Sequence, residues 1–194
     1  MKIKKGIIWI IVIAVIALWG VSGYNNIVNQ EEDVTKAWAN VQNQYQRRAD
    51  LIPNLVNTVK GYAAHEQETL QAVVEARAKA TSISIDAESM TMEQLKEFQE
   101  AQNQVTGALG RLIAVSESYP DLKANQNFLE LQSQLEGTEN RIAVERKNFN
   151  DSVKKYNANI RRFPQTILAN LFGFEKKPYF EADEGSEKVP TVEF

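Results

Sequence analysis

Residues 6–24 carry no charged side chain, and that run constrains the fold more than any other feature of the chain. Wound as an α-helix at about 1.5 Å per residue, they reach about 28 Å, close to the roughly 30 Å hydrocarbon core of a bilayer. The anchoring side chains are Ile7, Ile8, Trp9, Ile10, Ile11, Val12, Ile13, Val15, Ile16, Leu18, Trp19 and Val21. Lys2, Lys4 and Lys5 stand before the run, Trp9 and Trp19 suit its two interfaces, and Tyr24 marks the exit. A cleaved signal peptide competes, because Gly20, Val21 and Ser22 offer small residues around a cut. A retained signal anchor is favoured, since the run exceeds the about 7–15 residues of a signal-peptide core. The lysines predict a single-pass protein of the cell membrane with its N-terminus cytoplasmic and its bulk outside. The opposite topology is the alternative.

With Cys 0, no disulfide, lipidated cysteine or cysteine metal site is open to the chain, and with His 1 no site needing two imidazoles is either. Setting Lys2, Lys4 and Lys5 apart leaves 19 of the 22 basic residues against 25 acidic ones in the rest of the chain. That acidic balance argues against nucleic acid as a partner.

Beyond the anchor, apolar residues recur at helical steps of three and four: Tyr24, Ile27, Val34, Trp38, Val41, Tyr45, Ile52, Leu55, Val59 and Tyr62. Pro53 lies inside this stripe and is expected to kink or divide the helix near residues 50–52, with continuation favoured because the stripe keeps its phase. Helix is expected again from His65 to Ala80, followed by a polar connection over residues 81–86. A second long helix is expected from Thr91 to Ser118, with Phe98, Val105, Leu109 and Leu112 as its stripe, Gln102 occupying one place in it, and Thr91 with Gln94 as a capping box. Gly107 and Gly110 suggest a close backbone approach there.

After Tyr119-Pro120-Asp121, a third long helix is expected from Leu122 to Arg162, with Phe128, Leu135, Ile142, Phe149, Tyr156 and Phe163 seven apart and Leu131, Val153 and Ile160 beside them. Residues 167–172 read as a short apolar helix closed by Gly173. The sequence therefore predicts an all-α fold: an N-terminal transmembrane helix, then an antiparallel bundle of three long helices plus a short C-terminal helix. A coiled-coil oligomer is the competing use of the same stripes. The expected divisions are a basic N-terminus over 1–5, the anchor over 6–24, the bundle over 25–174, and an acidic, extended and mobile tail over 175–194. The tail aromatics Phe174, Tyr179, Phe180 and Phe194 either dock on the bundle or engage something else.

Catalytic chemistry finds little support. His65 precedes Glu66, but no strand-to-helix turn presents a nucleophilic serine, and His65 reads as an ordinary helical residue. The paired Glu-x-x-His spacing of two-metal bundles does not occur. No cofactor and no metal is expected. The concentrated polar features are Arg47, Arg48, Asp50 and Asn54 around Pro53, and Glu139, Asn140, Arg141, Glu145 and Arg146 on the third helix. Arg141 and Glu145 are positioned to pair, whereas Glu139 reaches Arg146 only across a further turn. Most such pairs are solvated and worth about 0–1 kcal/mol. Arg48 and Glu145 fall within apolar stripes, where an unpaired charge is costly. Together with His65, these residues are the candidates for a polar network inside the bundle or for a partner surface.

Several of these residues also carry a resemblance. Arg47-Arg48, the run Asp50-Leu51-Ile52-Pro53-Asn54-Leu55-Val56, then Lys60-Gly61-Tyr62, His65 and Glu66 form one signature. Tyr119-Pro120-Asp121-Leu122-Lys123-Ala124, residues 135–141, Tyr156-Asn157, Phe163-Pro164, Gly173-Phe174 and the terminal Pro190, Val192 and Phe194 form the others. In this order they resemble the LemA proteins of bacteria over nearly the whole chain. Phe149-Asn150 stands where Tyr-Asn is usual, and Gln165 where Asn is expected. The resemblance implies a membrane-anchored antiparallel helical domain with no established catalytic activity and a link to the organisation of bacterial membrane compartments; an N-terminus-outside topology, also proposed for the family, disagrees with the lysine argument, which is kept.

The expected function is a non-enzymatic scaffold or adaptor presenting its bundle to protein partners. Those partners are the lipid bilayer, unidentified membrane or envelope proteins, and further copies of the chain by self-association. Two alternatives are a ligand-sensing bundle and an accessory subunit of a membrane enzyme using His65.

Overall fold

The computed structural model describes residues 5–181. Lys2 and Lys4 of the basic start, and the tail beyond Glu181 with Pro190, Val192 and Phe194, lie outside the described residues. Six α-helices and one short 3₁₀ turn make up the regular structure of the described residues.

Helix α1 runs unbroken from Lys5 to Tyr62, 58 residues. Its first turns are ringed by exposed Ile, Val, Leu and Trp side chains, and from Ile27 onward one stripe turns into a core. Ile27, Val34, Trp38, Val41, Tyr45, Ile52, Leu55 and Val59 are all buried. The uncharged run and the first bundle helix are therefore one element. Pro53 sits inside α1 without ending it.

The chain then reverses over residues 63–66, a reversal that the expectation of renewed helix from His65 did not include. Nothing in the sequence there breaks a helix. The turn is held from a distance: Tyr119 Oη donates to Glu66 Oε1 (3.0 Å), and Asn125 Nδ2 donates to Tyr62 Oη (2.9 Å). Helix α2 (Gln67–Ser82) comes back along α1, and α3 (Met92–Val115) returns beside α2. A capping box starts α3, with Gln94 N–H donating to Thr91 Oγ1 (3.2 Å) and Thr91 N–H donating to Gln94 Oε1 (2.9 Å).

A 3₁₀ turn at Ser116–Ser118 and the one-turn helix α4 (Pro120–Lys123) lead to α5 (Gln126–Ile160), capped by Asn125. Helix α5 runs antiparallel to α1, as the bonds from Asn125 to Tyr62 at one end and from Asn159 Nδ2 to Asn26 Oδ1 (3.0 Å) at the other require. After a cis Phe163–Pro164 peptide, α6 (Gln165–Phe172) turns back onto α1 and ends at Gly173, whose φ of 77° suits glycine.

Two apolar clusters stack along this frame. Away from the uncharged run, Ile52, Leu55 and Val59 meet Leu70 and Val73 of α2, Val105, Leu109 and Leu112 of α3, and Phe128 and Leu135 of α5. Nearer the uncharged run, beyond the end of α2, Trp38 is enclosed by the rings of Phe98, Phe149 and Phe180 at 5.3–6.0 Å. Phe163, expected to close the sevenfold stripe, lies past the end of α5 and is 81% exposed. Gly107 and Gly110 face open space, so the expected close approach is not theirs. It occurs at Gly23, where an added Cβ would stand 2.6 Å from Leu168 Cδ1 of α6.

Candidate functional site

Arg48 points from the stripe of α1 into the bundle and is 2% exposed. Its Nη1 donates to Thr106 Oγ1 (2.8 Å) on α3 and Glu139 Oε1 (2.6 Å) on α5, and its Nη2 donates to Gln102 O (3.1 Å) and Oε1 (2.6 Å) on α3. The guanidinium also lies 5.1 Å from the centre of the Tyr45 ring. A buried charge is tolerable only when its donors are matched, and four of the five guanidinium N–H groups are accounted for here. One side chain thus ties together three helices of the bundle.

A second polar device repairs α1. Proline has no amide hydrogen, so Pro53 leaves the carbonyl of Ala49, four residues earlier, without its helical donor. Arg77 Nε of α2 donates to that oxygen at 2.7 Å. Arg48, Arg77, Gln46 and Gln102 border a half-open cavity of about 110 Å³ between α1, α2 and α3, whose floor is Ile52, Phe98 and Val105.

The third device holds the chain after α6. Asn157 on α5 donates through Nδ2 to Lys177 O (2.8 Å) and accepts from Lys177 N–H (3.0 Å). Asn150 does the same to Phe180, with bonds of 3.0 and 2.9 Å. The spacing matches: seven helical residues advance about 10.5 Å, and three extended residues advance about 10 Å. The Lys177 ammonium is buried and donates to Glu88 O (2.6 Å) beside an ion pair with Glu31 Oε1 (3.0 Å). Arg146 Nη2 and Gln99 Nε2 both donate to Glu181 O, and the Arg146 guanidinium lies 4.8 Å from the Phe180 ring centre. Residues 174–181 are extended and docked on the bundle. Phe174 and Phe180 pack against the Trp38 cluster.

The sequence candidates therefore fall apart into groups. Arg48 and Glu139 meet, and Arg146 joins the docked segment. Arg47, Asp50, Asn54, Asn140 and Arg141 are exposed, Asp50 accepting from Gln46 Nε2 (2.8 Å). Glu145 is half-buried and accepts from Asn148 Nδ2 (3.1 Å). His65 is exposed on the 63–66 turn, and its neighbour Glu66 is engaged by Tyr119, whose pKa that hydrogen bond raises. Sequence reading missed Thr106, Arg77, Asn150, Lys177 and Glu31. A signal existed for Asn157, a polar residue beside Tyr156 in the buried stripe. Among the described residues, no three His, Asp or Glu side chains gather as a metal site.

The sequence profile of the LemA family matches residues 37–194. The chain belongs to the LemA family. Relatives of this LemA-family protein include magnetosome protein MamQ 2 of Paramagnetospirillum magneticum, 28% identical over 175 residues, and MamQ of Magnetospirillum gryphiswaldense, 29% identical over 186 residues. Protein LemA of Metamycoplasma hominis is 24% identical over 160 residues. The matches cover 81%, 87% and 82% of this chain and 64%, 68% and 69% of those relatives. The LemA-family chain thus spans somewhat less than two thirds of MamQ 2. Its apolar N-terminal helix and its magnetosome-protein relatives fit membrane association.

Proposed function

We propose that this LemA-family chain is a membrane-anchored, non-enzymatic scaffold that presents a stiff helical bundle to protein partners at the membrane. The N-terminus lies in the cytoplasm and the bundle on the far side, following the lysines that precede the apolar run. The observation that carries the reading is the continuity of α1. With no joint between residues 6–24 and the bundle core, the bundle is held at a fixed height and angle to the bilayer, which suits a positioning role. Arg48 and Arg77 strengthen it by locking α2, α3 and α5 onto that helix.

The test is photocrosslinking in native membranes from positions on the exposed face of α5, Asn140 and Arg141, with the buried Ile142 as control. Discrete adducts from the exposed positions support the scaffold, whether with a foreign protein or with a second copy of the 21.9 kDa chain. The absence of any protein adduct from these positions counts against it.

The cavity beside Arg48 and Arg77 favours a second reading, a sensor for a small polar solute. A solute that binds the folded state raises Tm with concentration, and Arg77→Ala abolishes the rise if the cavity is the site.

A further inference from the structure

Helix α6 carries no charged residue, and it buries only one face. Leu168 and Ala169 are buried, with Leu168 against Gly23 of α1, while Ile167, Leu171 and Phe172 are 52%, 72% and 55% exposed and Phe163 just before them 81%. An uncharged helix with that much apolar surface in water is an anomaly for a soluble bundle. Its height along α1 explains the surface. Leu171 and Phe172 border an apolar hollow that α1 closes with Ala17, Gly20, Val21 and Tyr24. Phe172 also stacks edge-on against Tyr24 at 4.8 Å. From Tyr24 back to Ala17 is seven helical residues, about 10 Å. Helix α6 therefore lies beside the last two turns of the uncharged run, at the depth where an amphipathic helix rests in an interface, about 5–10 Å below the headgroups.

We propose that α6 is a second membrane contact: it lies in the plane of the leaflet nearest the bundle, with Phe163, Ile167, Leu171 and Phe172 among the upper acyl chains. The partner is the lipid itself. Arg161 and Arg162, exposed immediately before the helix, stand at headgroup level and suit anionic phosphates. The hollow between α1 and α6 is then filled by an acyl chain. This inference rests on residues 6–24 spanning the bilayer.

The protein has no cysteine, so single labels report without a background. The full chain is labelled with bimane at Leu171→Cys, Ile13→Cys or Val144→Cys and reconstituted at low density into phosphatidylcholine–phosphatidylglycerol vesicles. In a parallel set the acyl chains are brominated near their glycerol end. The Leu171 label is expected to lose most of its fluorescence to brominated lipid and little to aqueous iodide. The Ile13 label is expected to be inaccessible to iodide, and Val144, exposed on α5 away from α6, to respond to iodide alone. Iodide quenching at Leu171 with Ile13 protected overturns the α6 contact and leaves the span standing. Iodide quenching at both overturns the span as well. Shielding of Leu171 from both quenchers means that protein covers α6, which also overturns the proposal. A helical circular-dichroism spectrum and an unchanged Tm for each labelled chain show that the label reads the native fold.

Discussion

Pro53 removes an amide from the middle of α1, and the repair comes from another helix. Arg77 donates to the stranded Ala49 carbonyl, so the cost of losing Arg77 should depend on Pro53. Arg77→Ala leaves that oxygen unpaired and should cost about 1–3 kcal/mol. In a Pro53→Ala background the helix supplies its own donor, and the same substitution should cost measurably less. Urea unfolding of the four proteins gives the coupling, and equal costs in both backgrounds would show that Arg77 acts elsewhere. Tyr156 offers a titration. Burial first, then the charges of Glu31 and Glu175 and a hydrogen-bonding interaction with Glu31, hold its pKa above the usual 10.0. The folded state therefore keeps this proton when the unfolded chain has begun to lose it. Its contribution is complete below about pH 10 and drains away as the pH rises further. Tyr156→Phe removes this titration, so its stability should fall less steeply above pH 10 than the parent's. Parallel slopes would contradict the assignment. At this scale the sequence was informative where a polar residue interrupts an apolar stripe, as Arg48 and Gln102 do. It was silent on Arg77, which looks like any charge on a solvated helix face until α2 is known to fold back onto Pro53.

Helices were legible from periodicity and caps, whereas their reversals were legible only where proline or a polar run marked them. The Tyr119-Pro120 break announced itself. The 63–66 turn did not, because its determinants, Tyr119 and Asn125, come from far along the chain. The docked segment after α6 was hidden for a related reason. Asparagine side chains that bond an extended backbone leave no pattern in the sequence that is bonded, and only Asn157, seven residues beyond Asn150, hints at a ladder. Asn157→Ala leaves the Lys177 N–H and C=O unpaired and loosens the Lys177 latch between Glu31 and the Glu88 carbonyl. Hydrogen exchange at Lys177 and Phe180 should accelerate strongly, with protection in α2 and in the half of α3 from Val105 onward unchanged, since Leu70, Val73, Val105, Leu109 and Leu112 belong to the other apolar cluster. If exchange accelerates equally throughout the bundle, the segment is part of the global fold and not a separable strap.

Across the whole molecule, the uncharged run and the bundle share one helix, and this gives their relation a phase as well as a distance. Gly23 and Tyr24 face α6, while Asn26 and Ile27, a few residues on, face α5 and the core. The sequence displayed both stripes but not their mutual angle, which is meaningful only if no joint separates them. One alanine inserted between Tyr24 and Asn25 turns everything before it by about 100° relative to the bundle while adding only about 1.5 Å of length. That rotation carries Gly23 away from Leu168 and Tyr24 away from Phe172. It leaves the bundle core, from Ile27 onward, in register. The variant should insert into membranes as before and keep its α2 and α3 protection, yet lose protection in α6 and its packing against α1. Four inserted alanines turn the run by about 400°, returning it to within about 40° of its original face, and should restore much of the α6 protection despite the larger change in length. A response that follows the number of residues inserted, and not the angle, would show that α1 yields at the membrane boundary. Recovery with four residues after loss with one would show that the helix transmits rotation from the uncharged run to the bundle as a rigid shaft.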